Sequence, residues 1–215
     1  MKNDIEIIQG TDEWKQLRLG RATGSNFDAC LAKGKSNAEA VTRRNYRIRL
    51  ALERLTGKVM ESGYKSAAMT TGTEREPYAR MAYEAHTGYI VDEVPFIQHP
   101  YLMAGVSPDG LVNDDGLVEF KSPSPAVHWD YLQLTDEPPA EYWAQVIGQL
   151  WITGRKWVDF ASFNPDFPEE LQLHVVRIHR DESVIREFEQ GIEKFLFDVN
   201  TTHKQMMERI ASAKV

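Results

Sequence analysis

Ser107-Pro108-Asp109-Gly110-Leu111-Val112-Asn113-Asp114-Asp115-Gly116-Leu117-Val118-Glu119-Phe120-Lys121 reads as a hairpin with charged groups at its open end. Two short apolar runs, Leu111-Val112 and Leu117–Phe120, flank Asn113-Asp114-Asp115-Gly116, a strong turn signal. Folding back at that turn brings Asp109 to within about one residue of the position facing Glu119. Glu119 and Lys121 are two apart on one strand and so point to the same face. Two carboxylates and an ammonium therefore converge among apolar strand residues. Like charges opposed across a ladder destabilise it unless something neutralises them, and a divalent cation does so. Carboxylate oxygens without Cys or His suit a hard ion such as Mg²⁺ or Mn²⁺, not Zn²⁺. Spacing alone also admits a hairpin whose polar face simply meets water. Pro108-Asp109-Gly110 at a strand end, with apolar Val118 and Phe120 alongside, favours a site.

Outward from the hairpin, Ile90-Val91, Val94–Ile97 and Leu102–Val106 extend it into a meander of short strands. Trp157–Phe163 and Leu171–Ile178 add two more. Helices are predicted from Thr11 to Leu19, from about Ser25 to Ala32, from Ala140 to Ile152 and from about Asp181 to Ala211. Ser36-Asn37-Ala38-Glu39 has capping-box spacing and predicts a helix reaching Thr56, stopped by Gly57. Its apolar stripe is Val41, Ile48, Leu52 and Leu55, with Arg43, Arg44, Arg47 and Arg54 largely off it. Another helix is expected from about Thr73 to Thr87, ended by Gly88; Pro77 is tolerable only near a first turn, so the helix either begins around Glu76 or kinks there. Helices, a strand cluster and mixed elements indicate an α/β fold, a mixed central β-sheet flanked by helices in a single domain.

The 215 residues carry a net charge of −7 and one cysteine, which excludes an intramolecular disulfide framework and a Cys-cluster zinc site. The charge is unevenly spread. Residues 1–65 hold 13 Lys/Arg against 8 Asp/Glu, and the remainder 12 against 24. A basic front and an acidic remainder suit a protein that meets a polyanion on one face, although a solvated basic helix face gives the same count. The first twenty residues are too charged for a signal peptide, and no apolar run is long enough for a membrane span, so a cytoplasmic protein is expected. The six histidines have no metal-ligand spacing, and Cys30 falls on an apolar helix face.

Five blocks occur in order along the chain. They are Trp14-Lys15-Gln16-Leu17-Arg18-Leu19-Gly20 with Thr23 and Ser25, Gly72-x-x-x-Glu76, Ser107-Pro108-Asp109-Gly110, Glu119-Phe120-Lys121-Ser122-Pro123, and Tyr142-x-Ala144-Gln145-Val146 with Trp151. In these the chain resembles the lambda-type phage exonucleases, or viral alkaline exonucleases, of the PD-(D/E)xK nuclease superfamily. The resemblance implies a restriction-endonuclease-like core. A helical, basic DNA-binding part would cover about 1–66, the catalytic sheet and helices about 67–180, and a C-terminal helix about 181–211.

The same resemblance implies that Asp109, Glu119 and Glu76 hold catalytic Mg²⁺, with Mn²⁺ able to substitute. Capping-box spacing at Thr73-x-x-Glu76 offers Glu76 a purely structural role instead. Lys121 would contact the attacking water or the charge developing on phosphate, and Gln145 would help hold that water. Arg18, Ser25 and Ser107 would grip a terminal 5′-phosphate. Lys35, Arg43, Arg44 and Arg47 would track the duplex by phosphate contact, and Met69 would serve as an apolar wedge.

The implied activity is 5′→3′ digestion of one strand of linear double-stranded DNA from 5′-phosphorylated ends, leaving a 3′ single strand for phage recombination by annealing. Implied partners are DNA ends, two further copies of the chain in a homotrimeric ring, and a single-strand annealing protein, all in the bacterial host cytoplasm. An endonuclease with the same metal core and a catalytically silent DNA-binding subunit are the alternatives. One departure from the family is the absence of an arginine in Ser122–His128, where His128 is a weak substitute for a DNA contact.

Overall fold

The computed structural model of the protein describes residues 8–35, 38–60 and 67–213, without the side chains of 67–69. The helices are α1 (Asp12–Arg18), α2 (Phe27–Leu31), α3 (Val41–Thr56), α4 (Ala67–Thr87), α5 (Pro125–Tyr131), α6 (Trp143–Thr153) and α7 (Glu182–Ser212). The strands are β1 (Ala22–Thr23), β2 (Val91–Asp92), β3 (Ile97–Gln98), β4 (Ala104–Val106), β5 (Gly110–Val112), β6 (Gly116–Lys121), β7 (Trp157–Phe163) and β8 (Leu173–His179). The described residues gather into two compact units. One holds those up to 60, 95–107 and 182–213, the other 67–94 and 108–181.

In the first unit, the Thr11 hydroxyl accepts the Trp14 N–H at 3.3 Å and starts α1. β1 runs parallel to β4, and β3 pairs antiparallel with β4. α3 departs from its predicted start. It begins at Val41 behind Ala40, Ser36 and Asn37 lie outside the described residues, and the Glu39 carboxylate is engaged by Arg43 and Arg47. Gly57 ends the helix as predicted, at φ 66° with its N–H on the Glu53 carbonyl.

The buried face of α3 is also displaced from the predicted stripe. Tyr46, Leu50, Ala51 and Glu53 are buried, while Val41 is 72 % exposed. Packing against α7 sets this choice. Tyr46 stacks on Phe195 at 5.4 Å, and Phe27 of α2 meets Phe188 edge-on at 5.4 Å.

The second unit is built on a mixed five-stranded sheet in the order β2-β5-β6-β7-β8, antiparallel except for the β6–β7 pair. The predicted single meander is thus divided, since β3 and β4 belong to the other sheet. β6 and β7 are buried along almost their whole length, as expected of central strands. Val118, Phe120, Trp157 and Ala161 face Ala79 and Tyr83 of α4 in one core cluster. Gly116 admits no side chain, because a Cβ there would lie 2.0 Å from the Trp157 ring. α4 is already helical at Ala67, six residues before the expected start, so Pro77 lies in its interior and the start near Glu76 is excluded. The cost is one lost i→i−4 bond, which burial of Ala79 and Tyr83 offsets. Among the described residues no helix is long and apolar enough to cross a membrane.

The segment after Lys121 is a helix that the sequence reading missed, with Pro125 at the first position of α5. His128 is fully buried there, which removes it as a DNA contact. Its Nε2 donates to the Leu171 carbonyl at 2.8 Å, so its Nδ1 accepts from the Ser162 hydroxyl at 2.7 Å. Burial chiefly, with neighbouring His174 adding to it and the Leu171 carbonyl opposing, holds this imidazole below its ordinary pKa. A depressed histidine stabilises the fold above its unfolded pKa of about 6.5 and loses that stabilisation as pH falls toward the folded value. His128→Asn therefore costs about 1–3 kcal/mol at pH 7.5, and the gap to wild type narrows in urea melts at pH 5.5. A gap that is unchanged or wider at pH 5.5 would contradict the assignment.

Candidate active site

The β5–β6 register is Gly110↔Val118, Leu111↔Leu117 and Val112↔Gly116, so one step outward sets Asp109 opposite Glu119. Asn113, at φ 48°, makes the left-handed turn residue that the hairpin needs. Asp109 Oδ2 accepts the Phe120 N–H at 2.7 Å, which pins the carboxylate to the neighbouring strand. Glu119 is only 2 % exposed. Its Oε1 accepts from Lys121 Nζ and from Gln145 Nε2 at 2.6 Å, and its Oε2 accepts from Gln149 Nε2. The Lys121 ammonium also lies 4.7 Å from the centre of the Tyr142 ring.

Charge at this spot is unbalanced toward the negative. Burial, then the Glu119 charge, pushes the Asp109 carboxyl well above the carboxylate range, with Lys121 opposing and Glu76 adding. Glu76 is likewise raised, first by burial and then by Glu119 and Glu93 against Arg80 and Lys121. For Lys121, burial alone would lower the pKa, but Glu119 and Asp109 outweigh it and hold the ammonium above its ordinary value. Glu76 therefore feels the same electrostatic cluster from α4. Its alternative capping role falls away, because Thr73 lies inside a helix already running at Ala67.

Among the described residues no three acidic or imidazole groups already form a close metal cage. The donor set nevertheless fits a hard divalent cation. It is all oxygen, and the Asp109 and Glu76 carboxyls are raised by burial first and then by the charge of Glu119, a repulsion that a cation relieves. Asp109, Glu119 and Glu76 would hold the ion, with Lys121 and Gln145 shared between Glu119 and a bound phosphate.

Gln149 was missed by the sequence reading. It lies one turn after Gln145 on α6, and that i,i+4 spacing puts both amides on one helix face toward Glu119. With both carboxylate oxygens engaged, Glu119 has a fixed orientation.

The first unit contains a second polar cluster. The Arg18 guanidinium lies 3.9 Å above the Trp14 ring, and Trp14 Nε1 donates to Ser107 Oγ at 3.0 Å and to the Pro95 carbonyl at 2.8 Å. Ser107 gives its own proton to the Pro95 carbonyl at 2.6 Å, so it would have to release that bond to donate to a phosphate. Arg18 Nη2 is 3.5 Å from Thr23 Oγ1, to which Asn26 Nδ2 also donates at 3.1 Å. Asn26 reaches Ser25 Oγ at 3.2 Å, and Ser25 itself is exposed.

The other basic positions divide. Lys35 and Arg44 are exposed. Arg43 is turned inward onto Glu39, Asp198 and the Cys30 carbonyl, and Arg47 onto Glu39 and Thr202. Both guanidiniums are thereby engaged within the chain, Arg43 by Glu39 and by Asp198 of α7, and Arg47 by Glu39 and by the Thr202 hydroxyl of α7. The Met69 side chain lies outside the described residues. Cys30 is buried as expected, and burial pushes its thiol up.

A mixed sheet carrying Asp109, Glu119 and Lys121 at one end, with α4 and α6 contributing Glu76 and Gln145, defines a nuclease of the restriction-endonuclease-like class, a phosphodiester hydrolase. Residues 13–156 match the YqaJ-like viral recombinase domain, and the chain belongs to that family. It is similar to the alkaline exonuclease of Laribacter hongkongensis, at 37 % identity over 94 % of this chain and 100 % of that one, with a TM-score of 0.84. The same protein in complex with dAMP gives 0.85 at the same identity and coverage. A phage-related exonuclease of Haemophilus somnus 129PT shares the fold, at 15 % identity over 88 % of this chain and 96 % of that one, with a TM-score of 0.61. A comparison with curated proteins finds no match. The resemblance to the lambda-type phage exonucleases agrees with these findings.

Proposed function

We propose that the chain is a Mg²⁺-dependent exonuclease that digests one strand of linear double-stranded DNA from 5′-phosphorylated ends, 5′→3′, and leaves a 3′ single strand. The observation that carries the end-directed part is the Arg18–Thr23–Asn26–Ser25 cluster, because a guanidinium fork and hydroxyls suit a phosphate monoester and an endonuclease has no use for an end pocket. The Laribacter alkaline exonuclease and its complex with dAMP support nucleotide release as the reaction.

At the acidic cluster a divalent ion supplies Lewis-acid stabilisation of the charge that builds on the phosphate. Lys121 stays an ammonium between Glu119 and Asp109, so it acts by donating hydrogen bonds to that charge and not as a base. Gln145, already donating to Glu119 Oε1, can turn its carbonyl oxygen toward the attacking water and orient it. The buried, doubly held Glu119 keeps its orientation while charge shifts, which avoids reorganisation during the reaction. No covalent intermediate is required. The reading extends to a homotrimeric ring around the duplex, loading of a single-strand annealing protein, and work in the bacterial cytoplasm, all three on the family resemblance.

The test is digestion with Mg²⁺ of four duplexes: linear with 5′-phosphate ends, linear with 5′-hydroxyl ends, closed circular, and linear with one 5′ end blocked. Digestion from unblocked 5′ ends, faster with phosphate and absent on circles, is expected. Arg18→Gln should remove most of the phosphate preference and leave cutting chemistry. Cutting of closed circles would move the protein to the endonucleases, and binding without cutting would make it a silent subunit.

A further inference from the structure

We infer that Arg49 and Asn26 complete the terminal-phosphate pocket that Arg18 begins, so that two guanidinium groups meet a phosphate monoester dianion. The inference rests on the proposed reading of Arg18. Thr23 Oγ1 and Asn26 link the two arginines. Arg18 Nη2 and Asn26 Nδ2 both reach that hydroxyl oxygen, and Asn26 Oδ1 lies 3.5 Å from Arg49 Nη2. Tyr46 fixes this arrangement from below. Its hydroxyl accepts the Thr23 N–H at 3.0 Å, and its ring lies 4.7 Å from the Arg49 guanidinium carbon. Thr23 is 2 % exposed, so the floor of the cluster cannot shift cheaply.

Arg49 differs from Arg43 and Arg47, which precede it on α3. Arg43 and Arg47 are neutralised by Glu39 and Asp198, whereas among the described residues no carboxylate pairs with Arg49. Its Nε is buried without an acceptor. A buried charged donor left unpaired is costly, and such a group calls for an acceptor from outside the chain. Charge arithmetic names that acceptor. An internal phosphodiester carries one negative charge, and a terminal monoester carries between about one and a half and two at neutral pH. One arginine supplies a single positive charge, which leaves a dianion only half neutralised. Two arginines, with the Ser25 hydroxyl and the Asn26 amide beside them, favour the dianion.

The experiment measures binding of short fluorescent duplexes with 5′-phosphate or 5′-hydroxyl ends to the intact protein in EDTA, by anisotropy. Wild type, Arg49→Gln, Arg49→Lys and Arg18→Gln are compared, with thermal melts alongside. Wild type should prefer the phosphate by about tenfold or more, the scale of one charge-assisted pair. Arg49→Gln should bring the preference down to near that of Arg18→Gln. Arg49→Lys keeps the charge and the contact with Tyr46 but loses the fork, so it should fall between, which tests the inference even if the glutamine variant melts early. Retention of the wild-type preference in both Arg49 variants, with loss in Arg18→Gln, would overturn the role of Arg49 alone. No preference in wild type would overturn the end-pocket reading and this inference with it.

Discussion

Asp109→Asn abolishes digestion of linear DNA, by about a thousandfold or more, while the protein melts no lower than wild type in EDTA. The activity loss follows from removing a charged donor to the divalent ion, whose stabilisation of the transition state is worth several kcal/mol, with each 1.4 kcal/mol a factor of about ten. The stability result separates this from simple damage. Asp109 is raised by burial and by the charge of Glu119, so its ionised form is a burden on the folded state. An asparagine removes that repulsion and can still accept the Phe120 N–H through its side-chain oxygen. Mg²⁺ or Mn²⁺ should raise the melting temperature of wild type, and that rise should shrink in the variant, since a ligand stabilises only what it binds. A variant that melts early, or that cuts at more than a tenth of the wild-type rate, would refute the assignment.

The second large effect is on stability and lies away from the acidic cluster. Asp159 on β7 is 1 % exposed and receives Arg177 Nε on Oδ1 and Nη2 on Oδ2, each at 2.8 Å, with the Tyr83 hydroxyl on Oδ2 at 2.7 Å. The Arg177 guanidinium also lies 3.7 Å from the centre of the Trp157 ring. Asp159 thus joins α4, β7 and β8 in one polar knot inside the apolar cluster. Asp159→Ala strands a buried hydroxyl and a guanidinium held partly out of water, and the expected cost is about 3 kcal/mol. For a chain of this length that lowers the melting temperature by about 6–12 °C. Chemical denaturation of Asp159→Ala beside Asp159→Asn checks it. Near-equal loss in both would show that charge carries the knot, and a small loss in Asp159→Asn that shape does.

How much of this was legible in the residues depends on how local each relation is. The Asp109–Glu119–Lys121 arrangement follows from a turn, a register and a period of two, all within fifteen residues, and the structure places it as read. The mixed sheet and flanking helices were likewise visible in the patterning. The inward turn of Arg43 and Arg47 was not, because their partners Asp198 and Thr202 lie 155 residues away on α7. The same distance hid the buried face of α3, where Tyr46 and Leu50 displaced the predicted stripe once Phe195 was there to pack on. Pro77 misplaced the start of α4, since tertiary burial outweighs a single missing hydrogen bond. Gln149 shows the opposite case. Its i,i+4 relation to Gln145 was written in the sequence, but nothing in two glutamines four apart says that a carboxylate waits between them.

α7 also ties the timing of synthesis to the assembly of the Arg18 cluster. Arg18, Thr23, Asn26 and Arg49 are among the first quarter of the chain to leave the ribosome, yet Phe27 and Tyr46 beneath them pack on Phe188 and Phe195, near its end. A nascent chain that has reached residue 181 holds every residue of the acidic cluster but lacks the helix on which the arginine cluster is built. On the proposed function, the residues meant for hydrolysis are thus all synthesised before the helix that supports those meant to read an end.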